Sequence, residues 1–237
     1  MKVLVLGSNG MLGHMVTKYL RYKKIDVSLF VGRWPKDKEF LSTWKGDYAI
    51  NCIGAIPQRT KDFNVNWELP IWLDKNMDCK IIHPGTDCEM DLDQYGISKQ
   101  KAAEYIKTKS VKTKSLKTSI IGPEYETSAS LLQWFLNTND KIQGWSEHYW
   151  NGNTTLTWSE YCLDMMLNWS NYDKETILGS ECISKYELLK IIKKIFDKDA
   201  EINPVDNIKA NKCLTPDIQT ESIESQLFKL KGWYYDN

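Results

Sequence analysis

The sequence predicts an α/β fold built on a doubly wound parallel sheet, abbreviated on one side and followed by a small C-terminal substrate-binding region. Three observations predict it. Short, nearly continuous apolar runs at 2–6, 48–53 and 80–83 read as strands covered on both faces. Stretches of helical apolar spacing lie between them, and strands that alternate with helices pair in parallel. A glycine-rich turn joins the first strand directly to the first helix.

Composition narrows the class of partner. The 237 residues include 31 basic and 31 acidic side chains, so the chain has no net cationic field to hold nucleic acid or an anionic membrane, and small molecules are the expected partners. Lys107, Lys109, Lys112, Lys114 and Lys117 form a local basic run, read as a solvated helix end and loop. Six cysteines (Cys52, Cys79, Cys88, Cys162, Cys182, Cys213) stand far apart without a C-x-x-C, and three histidines are too few to complete a metal site, so no metal is expected. The chain enters its first strand at Lys2 with no signal peptide, and no apolar stretch approaches ~18 residues, which predicts a cytoplasmic protein with reduced thiols.

Taken in order, Lys2–Leu6 is the first strand and runs into Gly7-Ser8-Asn9-Gly10-Met11-Leu12-Gly13. From there Met11, Leu12, Met15, Val16, Tyr19 and Leu20 form the apolar stripe of a helix lying on a sheet. Glycines at such a turn let the backbone fold tightly and approach a pyrophosphate, while the helix N-terminus offers free N–H groups. All seven residues are assigned to dinucleotide binding and the domain to the Rossmann type, although the spacing is G-x-x-G-x-x-G rather than the commoner G-x-G-x-x-G.

The second strand, 26–31, ends in Gly32-Arg33-Trp34. An acidic residue there would bind the adenosine 2′-hydroxyl of NAD, whereas Arg33 suits a 2′-phosphate and points to NADP(H); the alternative is an exposed loop arginine. The strand 48–53 is closed by Gly54 and Ala55, and Asn51, Cys52, Ile53 and Gly54 complete the cofactor-binding set. The interval between Arg33 and this strand is too short for a full helix, strand and helix, so the sheet is abbreviated here.

Residues 64–77 form a helix kinked or begun by Pro70, with its tryptophans in the core. After the strand 80–83, Thr86 falls just beyond the carboxyl end, where open α/β sheets place ligands. Tyr95 opens the next helix and Lys99 sits one turn further on the same face. A neighbouring ammonium favours the phenolate and lowers a phenol that otherwise titrates near ~10, and Thr86 supplies a hydroxyl that both donates and accepts. Together the three suit carbonyl reduction. Further on, 116–121 reads as a strand broken at Gly122-Pro123, 130–136 and 156–169 as helices, and Ser184-Lys185-Tyr186-Glu187 as a capping box opening a helix that runs to Phe196. The change from the cofactor domain, 1–122, which carries the catalytic residues, to the mostly substrate-binding region, 123–237, is placed at Gly122.

Gly7-x-x-Gly10-x-x-Gly13, Asn51-Cys52-Ile53-Gly54, Thr86 and Tyr95-x-x-x-Lys99 together resemble the extended short-chain dehydrogenase/reductases. Gly85-Thr86-Asp87-Cys88, Tyr95-Gly96-Ile97-Ser98-Lys99, Thr118-Ser119-Ile120-Ile121-Gly122 and Trp150-Asn151-Gly152-Asn153-Thr154-Thr155-Leu156 narrow the likeness to the dTDP-4-dehydrorhamnose reductase-like branch, which reduces nucleotide-linked 4-keto-6-deoxy sugars. The resemblance implies that Tyr95 is the general acid, that Lys99 lowers its pKa and holds the nicotinamide ribose, and that Thr86 orients the ketone. Only eight residues separate Thr86 from Tyr95, fewer than the family usually has, which bears on substrate choice. Family 4,6-dehydratases carry Asp-Glu after the Thr; here Asp87 is followed by Cys88, which disfavours dehydration.

The expected activity is therefore NADPH-dependent reduction of the 4-keto group of a UDP- or dTDP-linked 4-keto-6-deoxyhexose, with a 2-acetamido sugar allowed and a homodimer allowed. Around the sugar the candidates are Thr86, Cys88, Trp134, Trp150 and Asn151, with core packing an equal reading for each tryptophan. Two rivals remain. Cys88 with His148 would make a bifunctional 3,5-epimerase/4-reductase, and loss of catalysis would leave a non-catalytic NADP-binding regulatory subunit.

Overall fold

A computed structural model of the chain describes residues 1–125, 129–139 and 141–235. It falls into two compact units, Met1–Lys117 with Ser159–Thr176, and Thr118–Trp158 with Ile177–Asn237.

In chain order the first unit contains β1 (Lys2–Leu6), α1 (Met11–Tyr22), β2 (Asp26–Phe30), α2 (Lys38–Thr43), β3 (Tyr48–Asn51), α3 (Val65–Asn76), β4 (Lys80–Gly85), a short 3₁₀ turn (Asp87–Met90), α4 (Gln94–Thr108) and β5 (Thr113–Lys117). Its strands lie in the order β5-β4-β3-β1-β2 and pair in parallel throughout. Val3 to Leu6 have no exposed surface, as strands covered on both faces require. α1 lays Leu12, Met15, Val16, Tyr19 and Leu20 inward, the stripe expected from its spacing. Leu69 and Leu73 of α3 join Leu4, Leu6, Phe30, Leu41, Trp44, Ala49, Met77 and Ile81 in one core, with Pro70 inside the helix rather than at its start. Only α2, six residues long, separates β2 from β3, so the sheet ends at β2 and is abbreviated on that edge.

The second unit carries β6 (Ile120–Ile121), α5 (Leu131–Asn137), β7 (Ile142–Trp145), β8 (His148–Trp150) and β9 (Asn153–Thr154). α6 (Thr155–Leu167) then takes the chain back to the first unit and β10 (Glu175–Gly179) returns it to the second, which continues with β11 (Ile183–Ser184), α7 (Lys185–Ile195), β12 (Ile202–Val205), β13 (Ala210–Asn211), β14 (Ile218–Gln219) and α8 (Ile223–Tyr234). The capping box at α7 forms as expected: Glu187 N–H donates to Ser184 Oγ, and Ser184 N–H to the Glu187 carboxylate.

Four expectations are corrected. The stretch 116–121 is two strands, because the chain turns out of the sheet after Lys117, where Asn153 Nδ2 donates to Thr118 Oγ1 and Asn153 N–H to Ser119 O. The unit boundary therefore falls at Thr118 rather than Gly122, and it is crossed more than once. The basic run is not wholly solvated: the Lys112 ammonium bonds Met77 O, the Lys114 ammonium bonds Trp169 O and Tyr172 O, and Lys117 enters a buried ion pair. Cys182 and Cys213 form a disulfide with their Cα atoms 5.9 Å apart, so these two thiols are not reduced, while Cys52, Cys79, Cys88 and Cys162 stay outside any disulfide among the described residues. Among the described residues no helix is long and apolar enough to cross a membrane.

Candidate active site

β2 and β3 flank β1 on opposite sides, so the strand order reverses at β1, and open parallel sheets bind ligands beyond the carboxyl ends of strands at such a reversal. Gly7 ends β1 with φ +76°, and a Cβ there would stand 2.8 Å from the Cys52 carbonyl and 2.9 Å from Ile53 N. Only glycine lets the turn after β1 lie this close to the turn after β3. Gly13 is tighter still, since a Cβ would stand 2.1 Å from Gly7 O, so α1 seats directly on the turn. Gly10 precedes α1 and donates its N–H to Gly7 O at 3.0 Å; no side chain caps the helix and no acidic residue lies in its first turn. Ser8 and Asn9 complete the turn with their side chains in weak contact, while Met11 is half-buried and Leu12 buried.

The turn after β3 continues the line. Asn51 is fully buried, takes the Ile53 N–H at Oδ1 and approaches His83 Nδ1 with Nδ2 at 3.2 Å. Burial, and behind it the charge of Lys99, pushes His83 down to about 3, so its imidazole is neutral and Nδ1 accepts from the Asn51 amide. A Cβ on Gly54 would stand 3.4 Å from Lys99 Nζ, which places the ammonium against this turn. Asn66 of α3 was not among the expected residues, yet it organises the region. It exchanges two bonds with the Ala55 backbone and donates to Ser98 Oγ, which in turn bonds Tyr95 O. One buried side chain thus ties the turn after β3 to the first turn of α4; in the sequence it is one polar residue of the helix among Glu68, Asp74, Lys75 and Asn76, and nothing local singles it out.

Asp93 caps α4 by accepting the Gly96 N–H, which starts the helix where Tyr95 and Lys99 share a face. Lys99 Nζ lies 6.0 Å from the centre of the Tyr95 ring, and Phe63 meets that ring edge-on at 5.6 Å. A Cβ on Gly96 would stand 2.4 Å from Asp91 O and 2.6 Å from Cys88 O, so α4 packs tightly on the 3₁₀ turn that follows Thr86. Thr86 caps that turn. Its Oγ1 accepts the Cys88 N–H and donates to Asp87 Oδ1 at 3.0 Å, and its own N–H goes to Glu89 Oε1 at 2.9 Å.

The electrostatics of Tyr95 run opposite to the expectation. Burial pushes its phenol well above the usual range, and Cys88, Asp87, Asp93 and Glu89 add to that rise. Lys99, itself pushed down by burial and held up by Glu89 and Cys88, does not reverse it. The reason is first that the phenol is withdrawn from water, and then that a thiol and three carboxylates act on it. Tyr95 is therefore a firmly protonated donor.

The other candidates divide. Arg33 is exposed beyond the carboxyl end of β2, and its guanidinium makes no ion pair among the described residues. Cys88 is half-buried and its thiol donates to Asp87 Oδ1 at 3.7 Å. In the second unit Trp134 is 40% exposed, but Trp150 is 1% exposed and packs in the core, which is the packing alternative. Asn151 spends its amide on Leu214, donating to the carbonyl and accepting the N–H. His148 stacks on Trp145 with ring centres 5.3 Å apart.

No family model and no curated protein sequence matches the chain. Solved structures do match. A dTDP-4-dehydrorhamnose reductase from Clostridium acetobutylicum aligns with a TM-score of 0.73 at 17% identity, covering 98% of this chain and 99% of that one. This chain has the fold of the nucleotide-sugar reductases. A dTDP-4-dehydrorhamnose reductase from Bacillus anthracis, solved in complex with NADP, gives 0.72 at 15% identity over 97% and 99% of the two chains. A dTDP-glucose 4,6-dehydratase from the same organism, in complex with NAD, gives 0.70 at 15% identity over 100% and 97%.

Proposed function

We propose that the protein is an NADPH-dependent reductase of the 4-keto group of a UDP- or dTDP-linked 4-keto-6-deoxyhexose. The observation that carries this reading is an unbroken line of neighbours within the first unit, from Gly7 through Cys52, Ile53 and Gly54 to Lys99, Tyr95 and the Thr86 turn. It joins a backbone cradle to a proton donor.

The cradle suits a dinucleotide. Gly7 and Gly13 bring two turns and a helix start together with no side chain between them, and an uncapped helix start favours a pyrophosphate. Arg33, exposed at the edge of β2, suits a 2′-phosphate through charge-assisted bonds. Lys99 lies where the turn after β3 passes, in position to hold a ribose. NADPH, when bound, would supply a hydride, the hydrogen with its two electrons, to the ketone carbon. Tyr95 gives its proton to the forming alkoxide, and Thr86 receives the ketone oxygen by turning its hydroxyl proton away from Asp87.

The first unit is thus assigned the cofactor and the chemistry, and the second the sugar, with Trp134 the exposed candidate there. The bifunctional reading gains no support from the Cys88 thiol, which gives its proton to the Asp87 carboxylate. A regulatory subunit has no use for a buried, protonated tyrosine with an ammonium at its side. The test is to follow NADPH loss with a panel of freshly prepared UDP- and dTDP-linked 4-keto-6-deoxy sugars; no consumption with any of them refutes the assignment.

A further inference from the structure

We propose that Glu89 and Lys117 are positioning residues for Thr86, an ion pair that fixes the turn on which the ketone-orienting hydroxyl is mounted. This inference rests on the reductase reading above. Glu89 divides its carboxylate: Oε1 accepts the Thr86 N–H at 2.9 Å, and Oε2 meets Lys117 Nζ at 2.5 Å. Both side chains are withdrawn from water, with 6% and 12% of their surfaces exposed, and Lys117 also lies 3.8 Å from Glu175 Oε2. The backbone makes room for the pair. A Cβ on Gly85 would stand 2.8 Å from Lys117 Cβ and 3.0 Å from Glu89 Oε1, so the residue before Thr86 must be small.

A second capping box in the same chain shows what is unusual here. Ser184 and Glu187 make the same reciprocal bonds at the start of α7, an eleven-residue helix, and Glu187 needs no lysine there. The helix behind the box holds it. Behind Thr86 stands only a four-residue 3₁₀ turn, which has too few backbone bonds to persist by itself. The anchor must come from outside the turn, and Lys117 supplies it from the end of β5. Burial pushes the Glu89 carboxyl up, and Lys117 opposes that rise. Without the ammonium a carboxylate so placed takes a proton or swings toward water, and either change weakens its hold on Thr86.

Buried ion pairs add little net stability compared with apolar side chains of similar size, so this one is better explained by what it orients. The experiment compares wild type, Lys117→Met, Lys117→Arg and the double variant Lys117→Met/Glu89→Leu. It reads kcat and KM for the 4-keto sugar, NADPH affinity by fluorescence, and amide exchange at Thr86 and Ser184. Lys117→Met is expected to exchange Thr86 at least about tenfold faster with Ser184 unchanged. Its kcat should fall roughly ten- to a hundredfold, the cost of a small misplacement of a reacting group, at constant NADPH affinity. Lys117→Arg should restore both. The double variant, which removes both charges of the pair together, should melt closer to wild type than Lys117→Met does and still show the low kcat. Wild-type kcat and Thr86 exchange in Lys117→Met, or in the double variant, overturn the proposal. If wild type reduces no sugar while Thr86 exchange still depends on Lys117, the reductase reading fails and the positioning role stands.

Discussion

The ammonium of Lys99 lies one helical turn from Tyr95, 6.0 Å from the ring centre, and on its other side it borders the turn at Gly54. On the proposed reductase reading the two residues divide their work. Tyr95→Phe should lower kcat by the ~10²–10⁴ expected of a lost general acid and leave NADPH affinity nearly unchanged. Lys99→Met should weaken NADPH binding and turnover together. Equal losses of both in Tyr95→Phe, measured by fluorescence titration beside initial rates, would make the tyrosine structural.

Arg33 stands exposed at the edge of β2. The enzyme should prefer NADPH to NADH, and Arg33→Ala should remove most of that preference by weakening NADPH alone. A charge-assisted pair is worth ~1.5–3 kcal/mol, or roughly ten- to a hundredfold in affinity. A wild type that binds NADH more tightly than NADPH contradicts this role.

The three glycines of the first turn should not respond alike. Gly13→Ala drives a methyl into Gly7 O, 2.1 Å away, and should cost about 1–3 kcal/mol of stability by thermal unfolding. Gly10 has φ −78°, open to any residue, and a Cβ there would stand 3.4 Å from Gly7 O. Gly10→Ala should fold as wild type does and show its cost only in NADPH affinity. Equal melting losses in the two variants would refute the geometry given for the cradle.

His83 gives a pH signature. Its pKa falls on folding from 6.5 to about 3, so its stabilising contribution is complete above the unfolded value and is lost as pH falls toward the folded one. Between pH 6.5 and 3, wild type should lose up to about 1.4 kcal/mol per pH unit more than His83→Gln, which keeps an acceptor for Asn51. Parallel stability curves from denaturant titrations would show that His83 does not titrate this way.

Reduction should proceed without epimerisation. Incubating the enzyme with a 4-keto sugar in deuterated water without NADPH should leave the sugar's mass unchanged. Deuterium at C3 or C5 that vanishes in Cys88→Ser would restore the bifunctional reading.

The first unit was legible where chemistry is local. The run Lys2–Leu6 into Gly7, and Tyr95 with Lys99 behind its cap, carry their structural reasons within a dozen residues, and so does the box at Ser184 and Glu187. What escaped depends on residues far apart in the chain. Lys117 reads as the end of a basic run until Glu89, 28 positions earlier, is brought beside it by the pairing of β4 with β5. Cys182 and Cys213 are 31 positions apart, and spacing alone gave no reason to pair them. Trp150 and Asn151 could be read as ligand contacts because a buried tryptophan and an exposed one look the same in sequence. The pKa direction of Tyr95 was misread because its burial, which raises the phenol most, is set by the packing of distant elements, while the ammonium that would lower it lies on its own helix.

The return of Ser159–Thr176 to the first unit limits how this protein can be cut and recombined. Tyr48 of β3 gives its hydroxyl proton to Met166 O, Trp169 lies against its ring, and Lys114 of β5 reaches the carbonyls of Trp169 and Tyr172. A fragment ending near residue 122 would keep every residue assigned to the cofactor and to catalysis, yet lose these partners and bare one end of the sheet. The first unit is therefore not an exchangeable cassette: a chimera that swaps it must carry a discontinuous insert, joined at Lys117 and again on either side of Ser159–Thr176.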